Sequence, residues 1–230
     1  VVKLYEELTK CRNNFDVQRA RDLLNQIEKK ISLDIPENRQ YFIEVEASLD
    51  WMEGKINNEE FARREETALR CTLNIDKLLN ADEIYLTEME MSCMRKRMRG
   101  LEKTEKGEYI KLFLRIFEQY ERKKELFDCI AMYEFVMVCM ANELGNMDEH
   151  QISIRIDKKL IQESLKCKRL WAVSNSLYDI LWNESEQAIK EGHKITKDKM
   201  TEGLHQCIAF SHFCHQNYIE KFLCEKLHQL

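Results

Sequence analysis

The segment LYEELTKCRNNFDVQRARDLLNQIEKKI, residues 4–31, decides the fold. The polar pair Asn13-Asn14 interrupts it, and apolar residues recur at helical spacing on both sides of that pair. The apolar stripe of the second half consists of Leu23, Leu24, Ile27 and Ile31. The segment therefore predicts two helices, over residues 2–13 and 15–31, that pair as a helical hairpin.

Similar hairpins recur along the rest of the chain at a regular interval. One proline and six glycines interrupt 230 residues, and further hairpins are predicted to start near Pro36, Asp82, Lys124 and Leu170. These starts are 46, 42 and 46 residues apart. Solenoids of helical hairpins, such as tetratricopeptide and armadillo repeats, have periods of about 34–47 residues. The sequence predicts an all-α, tetratricopeptide-like solenoid of about ten helices.

Capping residues indicate where several helices begin and end. Pro36 suits a first helical position, and Asn57 followed by Glu60 resembles a capping box. The run HQISIRID alternates like a strand but lies among helical segments, so helix is predicted there. Further helices are predicted over 36–53, 82–98, 104–121, 124–142, from 148, and over 170–188, with a break near 166–169. We expect a repeat domain over residues 1–195 and capping or dimerisation helices over 196–230.

Composition narrows the functional classes. Hydrophobic residues make up 44% and charged residues 33%, which is typical of a soluble helical protein. The net charge of −5 gives no electrostatic reason for this segment to bind nucleic acid. No uncharged apolar stretch is long enough to span a membrane. The nine cysteines are odd in number and include no CxxC, so reduced thiols and a cytoplasmic location are expected.

Three predicted helices carry candidate binding residues. In 170–188, a core face is separate from a second face that mixes aromatic rings with an amide. Aromatic residues with polar tips are favoured at surfaces that a partner desolvates, although this face also suits packing on a neighbouring helix. The second face consists of Trp171, Asn175, Tyr178 and Trp182.

The predicted helices over 124–142 and 82–98 carry the other candidate binding residues, which are a row of three residues at heptad spacing and one arginine. The row is Asp128, Phe135 and Asn142, whose amide can bind a peptide backbone or simply end the helix beside a turn. Arg95 can bind a carboxylate, or its charge can complement the helix dipole together with the neighbouring cations.

Metal-competent side chains are concentrated near the C-terminus. His205, His212 and His215 lie close on one helical face, and ExxH occurs twice. A di-iron bundle needs two further helices pointing glutamates into the same core, and the His/Cys spacing matches no familiar zinc module. We therefore expect packing roles for these residues, with no metal and no cofactor. The sequence also contains no phosphate loop, GxSxG elbow or HExxH, so a non-enzyme is expected.

The first hairpin, together with MYEFVMVCMANELGN and RLWAVSNSLYDILWNES, resembles the C-terminal tetratricopeptide-like domains of bacterial helix-turn-helix regulators of the Rgg and PlcR kind. The resemblance extends over essentially the whole chain, and it rests on the general sequence pattern and the repeat interval of the helices instead of an invariant motif. It implies a domain that dimerises and senses a short signalling peptide on its concave face, as in quorum sensing. It also implies that inner-helix asparagines, here Asn142 and Asn175, bind the peptide backbone. The family's DNA-binding domain is not in these residues and is expected upstream of Val1.

The homodimer implied by the resemblance is expected to use the C-terminal helices, which carry more apolar surface than a capping unit needs. The predicted dimerisation residues are Ile208, Phe210, Phe213, Tyr218, Phe222 and Leu223. Two other functional classes stay open. One is a protein–protein adaptor or anti-activator with no DNA-binding role, and the other is a metal-dependent helical enzyme built on the C-terminal histidines.

Overall fold

The computed structural model describes residues 2–78, 81, 83–101, 103–122, 130–193 and 195–230. This described part contains twelve α-helices, a 3-10 turn over Met98–Gly100 and no strand. The helices are α1 (Val2–Asn13), α2 (Val17–Glu28), α3 (Pro36–Met52), α4 (Asn58–Leu69), α5 (Ile75–Leu78), α6 (Glu88–Arg97), α7 (Lys103–Arg122), α8 (Ile130–Asn146), α9 (His150–Lys166), α10 (Val173–Lys190), α11 (Lys197–Phe213) and α12 (Asn217–His228). The predicted all-α class is confirmed, and HQISIRID lies at the start of α9.

The chain divides into two compact units, Val1–Leu112 and Phe113–Leu230. The division falls within α7, whereas the sequence placed a boundary between residues 195 and 196. α11 packs on α10 inside the second unit, because Leu204 and Cys207 of α11 share a core with Leu181 of α10. The C-terminal helices therefore belong to the second unit, and their capping or dimerisation role stays a prediction.

The core of the first unit forms where α1, α2 and α3 meet. Leu8 of α1 and Ile27 of α2 are fully buried there, beside Val45 and Leu49 of α3. Burial of each such side chain contributes about 1.5–3 kcal/mol. The predicted stripe of α2 lies in this core, with Ile31 partly buried against it. α4 then packs on α3 and on α6, which extends the first unit by another hairpin.

Local capping explains where helix starts differ from the prediction. Asn57 accepts a hydrogen bond from the backbone of Glu60 at 2.9 Å, as predicted. α6 begins at Glu88 instead of near Asp82, because Thr87 and Glu90 form a reciprocal capping box. The starts of α3 and α6 are therefore 52 residues apart, and those of α6, α8 and α10 follow after 42 and 43. The predicted start at Lys124 lies outside the described residues.

Six helices end in the same backbone turn. In each turn one residue has a positive φ, and the next amide donates to the carbonyl five residues earlier at 2.8–2.9 Å. Only two of the six positions are glycine, although left-handed backbone costs other residues about 1 kcal/mol or more. The positions are Phe15, Gly54, Asp148, Lys168, Gly192 and His215. The predicted break near 166–169 is one of these turns.

Candidate functional site

The predicted aromatic face of α10 packs within the second unit. The ring of Tyr178 contacts Phe222 of α12 edge-on, with centroids 5.3 Å apart. The ring of Trp182 contacts His150 of α9 edge-on at 5.9 Å. Asn175 is half-buried. These contacts match the packing alternative for this face, and its peptide-binding role stays a prediction.

Trp171 lies just before α10 and is attached to a buried carboxylate. Its indole N–H donates to Glu134 Oε2 at 2.6 Å, and Arg169 Nε donates to the same oxygen at 2.9 Å. The second oxygen of Glu134 accepts from the hydroxyl of Ser164 at 2.9 Å. Glu134 is fully buried, so these three donors compensate its desolvation. They also fix the connection between α9 and α10.

The remaining predicted binding residues are divided between the units. Phe135 and Asn142 are half-buried on α8, in the second unit. Arg95 is half-buried on α6, in the first unit. Asp128 lies outside the described residues. Of the predicted binding residues, only Arg95 belongs to the charged cluster built below, and the peptide-binding role of the others stays a prediction.

The predicted dimerisation residues differ in exposure. Phe213 is 74% exposed and Tyr218 is 52% exposed, at the turn between α11 and α12. Phe210 is half-buried, and Ile208 and Phe222 pack against the core of α10, α11 and α12. Leu223 is 0% exposed. A side chain with no accessible area cannot contact a second copy, so Leu223 is removed from the proposed surface.

A buried polar network that the sequence did not reveal links α8, α9 and α10. Asn183 Nδ2 donates to Ser153 Oγ at 3.0 Å and to the carbonyl of Asp179 at 2.8 Å. Ser153 Oγ donates to the carbonyl of Ala141 at 2.8 Å. Asn183 Oδ1 is therefore left as the acceptor for His150 Nδ1, 2.8 Å away. This assignment places the imidazole proton of a neutral His150 on Nδ1.

Two acidic groups lie between α9 and α10. Asp157 is fully buried, and its carboxylate oxygens accept no hydrogen bond of ordinary geometry. Burial, reinforced by the charge of Asp179 and only partly offset by the Ser176 hydroxyl, raises the pKa of Asp157 to about 8. Burial also raises the pKa of Asp179 to about 7. At neutral pH Asp157 is therefore largely protonated, whereas Asp179 is about half protonated.

The most unusual arrangement is in the first unit, where a salt bridge connects three helices. Arg12 of α1 donates from both terminal nitrogens to Glu44 of α3, at 2.7 and 3.2 Å. Lys96 of α6 contacts the same carboxylate and donates to Ser48 Oγ at 3.1 Å. Glu44 is almost completely buried. We refer to these residues, together with Glu65, Arg95 and Arg99, as the charged cluster.

Glu65 adds a neutral carboxyl to the charged cluster. It is fully buried on α4, and burial raises its pKa to about 8 against the opposing effect of the three arginines. Burial, together with the charges of Arg12 and Arg99, lowers the pKa of Lys96 well below its ordinary value. The three arginines lie close enough to Glu65 to oppose the rise in its pKa, and one of them, Arg12, is paired with Glu44. Among the residues of the cluster, the four basic side chains outnumber the two acidic ones, although the whole chain carries a net charge of −5.

Donor groups in and beside this cluster lack acceptors. Arg95 Nε is buried and has no hydrogen-bond partner among the described residues. Gln40 lies one turn before Glu44 on α3, and its Nε2 is likewise buried and unpartnered. Both carboxyl oxygens of Glu65 are also buried without a hydrogen-bond partner of ordinary geometry in the described part of the chain, so the cluster holds unsatisfied acceptors as well as donors, each costing about 1–3 kcal/mol. Arg12 and Arg95 are only partly covered, which leaves the cluster a route to solvent.

The C-terminal histidines are not gathered around a common point. His212 Nδ1 lies 3.1 Å from Glu220, which links α11 to α12 at an exposed position. Within the described residues, no group of three or more His, Cys, Asp and Glu side chains is arranged to hold a metal ion. In that same part of the chain, no helix has the length and apolar character needed to cross a membrane.

Comparisons with known proteins identify the fold. The chain is similar to the crystal structure of a putative kinesin light chain from Podospora anserina with nearly identical TPR-like repeats. The TM-score is 0.53 at 14% sequence identity, over 93% of this chain and 95% of that one. No protein-family model matches the sequence, and no curated protein matches it. The chain therefore has a tetratricopeptide-like helical-repeat fold.

Proposed function

We propose that this chain is the ligand-sensing domain of a cytoplasmic bacterial transcription regulator, and that the ligand is a short peptide. The observation that carries this proposal is the charged cluster, a site with more basic than acidic side chains and with unpartnered buried donors in an acidic chain. Such a site complements a carboxylate, which every unmodified peptide carries at its C-terminus. The helical-repeat fold and the resemblance to Rgg- and PlcR-type domains support the wider assignment.

The chemistry of binding follows from the donors. The ligand carboxylate accepts from Arg95 and Gln40, whose unpartnered nitrogens are Nε and Nε2. Arg12 is already paired bidentately with Glu44, so it contributes charge without needing to exchange partners. Because Arg12, Glu44 and Lys96 come from α1, α3 and α6, a bound anion acts on three helices together. A ligand that binds one arrangement of these helices more tightly shifts the population toward it.

The direct test is calorimetric titration with pentapeptide mixtures that carry either a free C-terminal carboxylate or an amide. We expect binding of the free carboxylates only, and a loss of about tenfold or more in Arg95→Gln. Arg63→Gln is the matched control, because Arg63 is an exposed arginine of the same unit that pairs with Glu60 at 2.7 Å. Equal binding by the Arg95→Gln variant and the unmodified protein excludes the charged cluster as the site.

The regulatory part of the proposal needs the complete gene product. We expect it to contain an N-terminal helix-turn-helix domain, to form a homodimer and to change its affinity for operator DNA when a peptide binds. Sedimentation and gel-shift measurements with and without peptide test these three points. A complete gene product without a DNA-binding domain contradicts the regulator assignment but leaves peptide binding intact.

A protein–protein adaptor is the second candidate, and one observation favours it. Phe213 and Tyr218 are largely exposed, and Trp171 lies near their turn because Gln216 donates to its backbone carbonyl. Exposed aromatic side chains are enriched at protein interfaces. Phe213→Ser with Tyr218→Ser should dissociate a homodimer if this surface serves dimerisation. If the protein is a monomer that loses a co-purifying partner on the same substitutions, the adaptor assignment is favoured.

A further inference from the structure

A cavity of about 290 Å³ lies between α10 and α11 in the second unit, apart from the charged cluster. Its size is at the lower end of ligand pockets, which commonly measure about 300–1,000 Å³. A cavity of this size accommodates one large amino-acid side chain. Its apolar lining consists of Leu177, Ile180, Leu181 and Cys207.

A glycine of α11 lies against a leucine side chain that forms part of the cavity wall. Gly203 lies in the interior of α11, where glycine costs about 1 kcal/mol relative to alanine. A Cβ atom at this position would lie 2.7 and 2.8 Å from the two methyl carbons of Leu181. A side chain here would therefore displace Leu181, which lines the cavity. The glycine keeps the apolar wall in place.

The polar lining of the cavity is acidic. Glu184 and Glu202 contribute two carboxylates, and Lys199 contributes one ammonium group. Lys199 Nζ lies 3.7 Å from Glu184 and offsets that charge. Glu202 is exposed and forms no ion pair within the described residues. The cavity therefore combines an apolar interior with one uncompensated negative charge at its edge.

We propose that this cavity binds a peptide segment of a partner protein that presents one leucine- or phenylalanine-sized side chain beside a lysine or arginine. The apolar side chain fills the cavity, and the neighbouring cation pairs with Glu202. This site lies in the other unit and prefers the opposite ligand charge to the charged cluster. The inference therefore does not depend on the proposed function.

The test is an NMR titration of the full chain with three capped tripeptides, Ac-Lys-Phe-Lys-NH₂, Ac-Glu-Phe-Glu-NH₂ and Ac-Lys-Ser-Lys-NH₂. We expect the first peptide to shift amides of α10 and α11, and each of the others to bind at least about tenfold more weakly. The serine peptide tests the apolar cavity, and the glutamate peptide tests the acidic edge. All three peptides are amidated, and only shifts of amides in α10 and α11 are scored, so any binding of the glutamate side chains to the charged cluster is recorded separately.

Two variants complete the test. Glu202→Lys should weaken binding of Ac-Lys-Phe-Lys-NH₂ about tenfold. Glu225→Lys makes the same charge change at an exposed position of α12 and should leave binding unchanged. Both positions are exposed, so both variants should fold, and circular dichroism checks this. Equal shifts from all three peptides, or equal effects of the two variants, would overturn the proposal.

Discussion

Replacement of Asp157 by asparagine should stabilise the second unit, and the gain should increase with pH. In the folded protein the pKa of this carboxyl is raised to about 8, whereas an unfolded chain has the ordinary value of 3.8. Between these two values the unfolded state releases a proton that the folded state keeps. Stability from this group is therefore fully present below about pH 4 and is lost as the pH rises toward 8. Asparagine does not ionise, so it removes this loss.

The magnitude follows from the interval between the ordinary pKa and the working pH. Each pKa unit corresponds to about 1.4 kcal/mol, so roughly three units between 3.8 and neutral pH give an upper limit of about 4 kcal/mol. The amide brings buried N–H donors whose incomplete satisfaction costs about 1–3 kcal/mol. We therefore expect a net gain of about 1–3 kcal/mol at neutral pH, and a net loss of about 1–3 kcal/mol near pH 4, where only the cost of the amide remains.

Tryptophan fluorescence can report on the second unit alone. Trp171 and Trp182 lie in this unit, and Trp51 is the third tryptophan of the chain. In a Trp51→Phe background, urea unfolding followed by fluorescence measures the free energy of unfolding of the second unit. The measurement compares Asp157 with Asp157→Asn at about pH 5, 6, 7 and 8.

A control separates this effect from a general loss of negative charge. Glu225→Gln makes the same carboxylate-to-amide change at an exposed position of α12 in the same unit. Its effect on the free energy of unfolding should be within about 0.5 kcal/mol at every pH. A gain from Asp157→Asn that stays constant with pH, or that shrinks as pH rises, would refute the assignment of a protonated buried carboxyl.

Three further predictions concern stability. Lys168→Gly should stabilise the protein by about 1 kcal/mol, because glycine adopts the positive φ of that turn freely. Lys166→Gly, in the last turn of α9, should destabilise the protein by a similar amount. Thermal unfolding of the two variants measures both changes. Asn183→Ala should lower the free energy of unfolding, measured in urea, by about 2–4 kcal/mol, because it leaves buried donors and acceptors unpaired. Asn175→Ala on the same helix should lower it by less than about 1 kcal/mol. Glu134→Gln should cost about 3 kcal/mol and shift tryptophan emission to longer wavelength.

Helix positions were readable from the sequence where local signals agree with the packing. The α2 stripe, Pro36 and the Asn57 cap all lie where their spacing predicts. α6 starts later than predicted because Thr87 and Glu90 cap each other, a signal the repeat interval obscured. The short helix α5 was missed because four residues carry too little periodicity.

Most of the charged cluster could not be predicted from the sequence, because its residues come from separate helices. Arg95 was a candidate because its guanidinium can bind a carboxylate, and the cations beside it in the same turn supported the alternative that it complements the helix dipole. Its partners Arg12, Glu44 and Glu65 lie on three other helices, between 30 and 83 residues away. A one-dimensional pattern shows which residues share a face of one helix, but not which faces meet. The polar row Gln40, Glu44 and Ser48 on α3, at i, i+4 and i+8, is the one local signal that a polar interior was present.

The six identical helix ends have a consequence for how this chain retains its architecture. The hydrogen bonds that close each turn join backbone atoms, and lysine, histidine, aspartate and phenylalanine occupy the same left-handed position that glycine fills elsewhere. The backbone conformation of the turn is thus repeated, whereas the residue type at its left-handed position is not. A substitution of glycine at one of these turn positions lowers the stability by about 1 kcal/mol, and the hairpin still keeps its length and direction. Sequences of this kind can diverge widely and still fold alike, which is consistent with a shared fold at 14% identity.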